Sequence, residues 1–457
     1  MTYLGLRRAL FALPLAAFAT GCAQAPQEPG PTPTLPRHAQ QATPPTQLGV
    51  LSPAKPMLGD LAPTTLLVPP KVVKGVYGRG AVNRWAEVAA ADRSTIAAPV
   101  VPHRGTSKVY FSAPAIDKGP ARELSLPIDA PKGVEIFVVP GATAERLRTL
   151  KMSDLGIEMT QPNGAVIRHE AADVHVHDVE AEEHEAVPLL HTRYQNIRLD
   201  QPTVGFHQVT YRPKPGVANV GAIVVQHEGV ELDVVTDRPG IVLGEDVVIT
   251  AKINPGTGQS FGSATMKAKL MSLGGRSAGE IELRDDGVGV DTTAGDGLFS
   301  GKLTPTSDDL AEMGSWTAMI EASGMTGEGA PFLRHATTGF TVSHPVARFT
   351  GVATESMGQV DGTPVLMMTV EIEAGLESRY RVKGILRGAD KLAIAETSIA
   401  TELKAGKNRI ALSVPLKYLS DKPGPYSLAN LELVSVDVEA PIARLAEAYS
   451  FQSRVSK

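Results

Sequence analysis

Cys22 is the single cysteine among 457 residues, so the chain can close no disulfide within itself. Every domain it builds must be held by packing and hydrogen bonding alone. The remaining composition reads as a β protein under that constraint. Forty-four glycines and 35 prolines cut the chain into short runs rich in β-branched residues, the pattern of many short strands joined by turns rather than of a helical bundle. At about 150 residues per domain, the roughly 390 residues beyond an N-terminal tail make two or three domains, each large enough for its own core. A formal net charge of −5 carries no basic bias and argues against a nucleic-acid partner. Aromatic residues at 5%, with two tryptophans, weigh against a carbohydrate-binding module built on stacking platforms.

The N-terminus has the order of an export signal. Arg7 and Arg8 precede an apolar run over residues 9–19, and small residues Ala19, Thr20 and Gly21 lead into Cys22. The apolar run is too short to cross a bilayer, which takes about 20 residues, and no other stretch is suited to do so. A secretory signal explains the charge and the apolar run but not a cysteine directly after glycine. That placement resembles the bacterial lipobox, with Ala19 where leucine is more usual. The resemblance implies that residues 1–21 are removed and that Cys22 is diacylated through sulfur and anchors the protein to a membrane. Ala23 after the cysteine fits sorting to the outer membrane, facing periplasm or exterior. The other reading is a plainly secreted protein with an incidental thiol. Residues 22–70 are proline-rich and poor in large apolar side chains, so they read as an extended tether; the alternative is a tail, over residues 58–68 above all, that packs on the first domain.

Beyond the tether the chain divides into a mostly β N-terminal domain (71–229), a middle domain (230–344) and a C-terminal domain (345–457). In the first, residues 108–111, 123–128, 134–139, 217–225 and 230–235 have strand character, and residues 142–155 space their leucines as one amphipathic helix. In the second, 246–253, 265–271 and 315–322 read as strands, the last alternating Trp316, Ala318, Ile320 and Ala322 on one face. In the third, 365–372, 378–386, 392–399, 408–414 and 427–438 repeat the texture. The fold class is all-β, with immunoglobulin-like sandwiches in the middle and C-terminal domains. Both tryptophans, Trp85 and Trp316, read as core residues rather than ligand platforms.

Two clusters could carry chemistry. Asp285, Asp286, Asp291 and Asp296 crowd into one stretch with Gly287, Gly289, Gly295 and Gly297 between them. Oxygen ligands on a tight glycine-rich loop suit calcium, with Asp286, Asp291 and Asp296 first and Asp285 next. The spacing is not that of an EF-hand, and aspartates also cap turns with no metal present. The second cluster is His169, His175, His177 and His184 among many carboxylates. His175 and His177, two apart, share a face if they lie on a strand, as a zinc or copper pair would; the competing reading is a solvated acidic loop. The H-E-x-x-H signature, a G-x-S-x-G elbow, a P-loop and a post-strand G-x-G-x-x-G are all missing from the sequence.

Residues 283–301, LRDDGVGVDTTAGDGLFSG, resemble the D-D-G…A-G-D-G signature of immunoglobulin-like modules in bacterial surface and secreted proteins, called choice-of-anchor domains, with Phe299 at the aromatic place. Residues 380–386, 403–412 and 424–433 are similar to the C-terminal sandwich that accompanies such modules. The whole order resembles an uncharacterised gammaproteobacterial family of three-domain exported proteins. That resemblance implies fold and location and no reaction. The leading expectation is a membrane-anchored, non-enzymatic binding or structural module that calcium stabilises, with a protein or glycan partner. The rivals are a metal-dependent hydrolase using residues 169–184 and a periplasmic scaffold or chaperone subunit whose sheet edges pair with a partner strand.

Overall fold

The computed structural model describes residues 46–47, 60–63, 66, 81–112, 123–130, 132–141, 157–167, 174–179, 194–211, 219–272, 275, 277–303, 314–436 and 440–451. The chain starts in the body that its C-terminal strands complete. β1 (Thr46–Gln47) pairs antiparallel with Thr354 and Glu355. Leu61 bridges Arg444 through two backbone hydrogen bonds of 2.8 Å. β2 (Val82–Glu87) pairs along its whole length with residues 395–400, and a one-turn helix, α1 (Arg93–Ala97), follows it. β3 (Arg104–Ser107) then joins the middle body beside residues 232–235.

Only after those segments does the N-terminal body form. Its strands are β4 (Val109–Ser112), β5 (Glu123–Ile128), β6 (Val134–Gly141), β7 (Glu158–Thr160), β8 (Val166–Ile167), β9 (Val174–Val179), β10 (Tyr194–Leu199), β11 (Gly205–Thr210) and β12 (Asn219–Gln226), in two sheets ordered β4-β12-β6-β10-β9 and β5-β11-β7-β8. Leu126, Ile128, Ile136, Val138 and Val224 fill the space between them. The chain then returns to the middle body with β13 (Glu231–Thr236), β14 (Gly240–Val242), β15 (Val247–Asn254), β16 (Phe261–Ser272), β17 (Ser277–Leu283), β18 (Leu298–Leu303), β19 (Gly314–Thr326) and β20 (Pro331–Ser343). Its sheets are β18-β15-β13-β3 and β14-β20-β19-β16-β17. The strict alternation of β19 buries Trp316, Ala318, Ile320 and Ala322 against Leu232, Ile249 and Phe340. Complete burial of a large apolar side chain stabilises by about 1.5–3 kcal/mol, so one or two such side chains match the about 2–4 kcal/mol that a disulfide would contribute.

The last body consists of β21 (Ala347–Val360), β22 (Thr363–Ala374), β23 (Ser378–Arg387), β24 (Ala393–Leu403), β25 (Gly406–Pro415), β26 (Tyr426–Ser435) and β27 (Ala440–Phe451). One sheet is β1-β21-β22-β25 and the other β2-β24-β23-β26-β27. Leu366, Met368, Val370, Leu412, Leu428 and Leu433 lie between them. The molecule is almost wholly β, and each strand read from the sequence in the middle and C-terminal bodies is present within a few residues of its expected bounds.

The contiguous division at residues 70/71 and 229/230 does not follow these pairings on its N-terminal side. Residues 46–47 and 60–61, assigned to the tether 22–70, pair with the C-terminal sandwich, as does β2, assigned to the domain 71–229. β3, from that same stretch, pairs with the middle body. The cause is the choice of partner: an edge strand carries little of its own hydrophobic pattern, and β2 is exposed at every position but the half-buried Trp85. Trp85 is therefore an edge residue and not part of the core, whereas Trp316 is 1% exposed as read. The helix expected over 142–155 lies outside the described residues.

A buried polar node joins the N-terminal and middle bodies. Asp129 and Arg334 form an ion pair of 2.6 Å with both side chains fully enclosed. The second Asp129 oxygen accepts the Val230 amide at 2.7 Å, Arg334 Nε donates to the Val230 carbonyl at 2.6 Å, and Gln226 Oε1 accepts the amides of Asp129 and Ala130. Tyr110 donates to the Pro127 carbonyl at 2.9 Å, and burial drives its phenol well above the usual range. Gly229 sits at φ +112°, where an added Cβ would lie 2.6 Å from Asp129 Oδ2, so the node requires glycine there.

Candidate functional site

The loop between β17 and β18 is pinched at its neck by a two-hydrogen-bond bridge between Arg284 and Ser300. Within it Asp285 reaches across the turn: its Oδ1 accepts the amides of Gly295 (2.6 Å) and Asp296 (3.2 Å), and its Oδ2 that of Gly297 (2.9 Å). Asp291 points back the other way, accepting the amides of Gly287 at 2.6 Å and Thr293 at 3.3 Å. The Gly287 hydrogen bond, foremost among several backbone donors, holds the Asp291 carboxyl below its ordinary range. Gly287 has φ +71°, and a Cβ on it would come 3.0 Å from the Ala294 nitrogen, so the turn closes tightly only because that side chain is missing.

Asp285, Asp291 and Asp296 converge, each offering an oxygen within 4.8 Å of the others'. Asp291 is buried, Asp285 half-buried and Asp296 exposed. Asp286, ranked ahead of Asp285 from the sequence, is not in this group. Its Oδ1 accepts the Val288 amide at 2.9 Å, a local turn two residues long. Asp296 makes the same local bond to Leu298 at 2.9 Å and still contributes to the cluster. The signal separating Asp285 from Asp286 is a reach of 10 to 12 residues, which the one-dimensional spacing does not show. Oxygen is the sole donor type, the charges repel one another, and amides occupy only part of each carboxylate's capacity of about four lone-pair sites. Such a set fits a hard cation such as calcium and not a thiophilic or imidazole-preferring metal.

His175 and His177 lie on β9, in register with Arg198 and Asn196 of β10. The two histidines thus stand two positions apart on one strand. His169 and His184 lie outside the described residues. Among the described residues the three aspartates are the one group of metal-ligand type drawn together.

Residues 242–342 match the family model of the conditioned medium factor second Ig-like domain, and residues 347–452 match that of the C-terminal domain of DUF4785, a domain of unknown function. Among curated proteins none matches the chain. A solved DUF4785 family protein from Legionella pneumophila superposes on 84% of this chain and 99% of its own, with a TM-score of 0.56 at 16% identity. The propeptide form of the Bacillus licheniformis lipase BlEst2 covers 58% of this chain and 43% of its own at a TM-score of 0.25 and 11% identity. Trypsin-activated alpha-2-macroglobulin from Escherichia coli covers 76% and 24% at 0.21 and 13%. The first of these likenesses is one of overall fold; the other two carry no argument. The middle and C-terminal bodies are thus immunoglobulin-like modules, similar to those of uncharacterised multi-domain proteins.

Proposed function

We propose that the protein is an exported lipoprotein, anchored through Cys22 to the outer membrane, that acts as a non-enzymatic binding or structural module. Its middle body is stabilised by calcium on the loop of Asp285, Asp291 and Asp296. The observation that carries this reading is the convergence of those three carboxylates on the rim of a sandwich. Each is held by backbone amides, an arrangement suited to fixing a loop. Calcium bound there would neutralise the mutual repulsion of the carboxylates and tie the two halves of the turn together. A protein or glycan of the cell envelope is the partner class that an anchored module of this kind would meet.

Two measurements test it. The wild-type protein fractionates with membranes and Cys22→Ser does not; a Cys22→Ser protein that stays with membranes refutes the anchor. Thermal melts of the soluble body in millimolar calcium and in chelator separate by several degrees, because binding to the folded state alone stabilises by mass action. Coincident melts remove calcium from the proposal.

A further inference from the structure

The segments that precede the N-terminal body grip the C-terminal sandwich at both of its sheets. β1 lies on the outer edge of β21. Asp60, 9% exposed, accepts the Ala446 amide at 2.7 Å, and the adjacent Leu61, 2% exposed, bridges Arg444 on the edge of β27. At the opposite edge of that sheet β2 adds six residues to β24, and Lys422 meets Glu87 at 2.7 Å. The hold continues past the strand: Arg93 donates to the Ala393 carbonyl at 2.7 Å and pairs with Asp390 at 3.0 Å. Asn430 donates to the Ala98 carbonyl at 2.8 Å, Arg387 donates to that of Ala97, and Val88 and Ala97 are buried against Ala393. After this residues 98–101 are exposed, Val101 to 60%.

We infer that the described parts of residues 46–98 form a docking strap, whose receptor is the pair of sheet edges on the C-terminal sandwich. The strap hands the membrane attachment to that sandwich and holds it without help from the covalent chain that continues at residue 101. This rests on the proposed Cys22 anchor for its membrane consequence only. The reason is additive: a full edge-strand ladder, two further backbone hydrogen bonds at Leu61, five ion pairs or charged hydrogen bonds and a small apolar cluster lie on the N-terminal side of residue 101. The bodies distal to the strap, middle and N-terminal, would then be carried on the C-terminal sandwich and not directly on the tether.

The test uses the full chain with a protease recognition sequence inserted after Val100, or, in a second variant, after Gly30, and an affinity tag following Lys457. Melting of each uncut protein at the wild-type temperature establishes that the insertion is tolerated. On membranes, cutting after Gly30 releases the body, whereas cutting after Val100 leaves at least nine-tenths of it in the pellet. In detergent, the tag recovers the fragment N-terminal to the Val100 cut together with the rest, and Asp60→Ala combined with Arg93→Ala lowers that recovery severalfold. Loss of the fragment N-terminal to the Val100 cut from the tagged body in detergent overturns the strap, whatever the lipid does. Retention in detergent with body still pelleting after the Gly30 cut leaves the strap standing and overturns the anchor instead.

Discussion

Asp129 and Asp285 both use a carboxylate to gather N–H donors, backbone amides alone at Asp285 and one amide plus a guanidinium at Asp129, yet their partners come from different distances. Those of Asp285 lie within 12 residues of it; those of Asp129 lie 101 and 205 residues away, at Val230 and Arg334. One is half-buried in a loop rim, the other wholly enclosed between two bodies. A local node can open by itself, and its loss is felt in the loop. The distant node can open only if the bodies part, so its failure is felt by the whole molecule.

The largest effect is expected at the enclosed pair. Arg334→Met leaves the Asp129 charge buried and unpaired and costs about 3–5 kcal/mol, read as a fall in the urea midpoint. The double variant Asp129→Leu, Arg334→Met recovers part of that loss. A single variant within about 1 kcal/mol of wild type would erase the contrast. Next, Gly229→Ala forces a side chain at φ +112° against Asp129 and costs about 1–3 kcal/mol in the same assay. Asp285→Ala, which strands three amides, costs about 1–2 kcal/mol. Its signature is local: hydrogen exchange quickens at Gly295 and Gly297 while the amide of Val230 stays protected. Exchange that quickens equally at both would show that the two nodes open together.

The smallest effect is with pH. Burial lowers His207 and His344 below the ordinary imidazole value. The unfolded chain therefore takes up protons first as pH falls through about 6.5, and stability declines from there until the folded imidazoles also protonate. Asp291, held low by the Gly287 amide, acts in a separate and lower window: its contribution is present above about pH 4 and is lost as pH falls through its folded value. Melting temperatures at pH 7.5 and 5.5 should drop for wild type and drop less for His207→Phe. Equal drops in the two proteins would take His207 out of the account.

What the sequence makes legible follows the same division. The alternation of residues 315–322, the bounds of β5 and the crowding of Asp285 to Asp296 are written in neighbouring residues, and each appears in the structure. Whether Asp285 or Asp286 joins the cluster is not, because it depends on how the turn folds back. Nor is the destination of β2 or β3. Both are edge strands whose sequences, VNRWAE and RGTS, show no buried face of their own, and their partners are chosen by space left open elsewhere. Gly105 marks that choice: a Cβ there would stand 1.9 Å from the Thr337 carbonyl oxygen of β20, a closeness that no reading of residues 104–107 alone discloses. The same holds for Arg334, which stands as one arginine in an ordinary strand until Asp129 is brought to it.

The path of the chain, from C-terminal body to middle to N-terminal and back again, also fixes an order of completion during synthesis. The N-terminal body has all its strands once residue 226 has emerged, the middle body waits for β20, and the C-terminal body is last. Arg93 has to remain without its Ala393 partner until 300 further residues have been made. β2 thus emerges during synthesis as an unpaired edge, the state most open to aggregation or to capture by a chaperone. Its polar, charge-bearing sequence, which hid its partner from view, is what lets it wait.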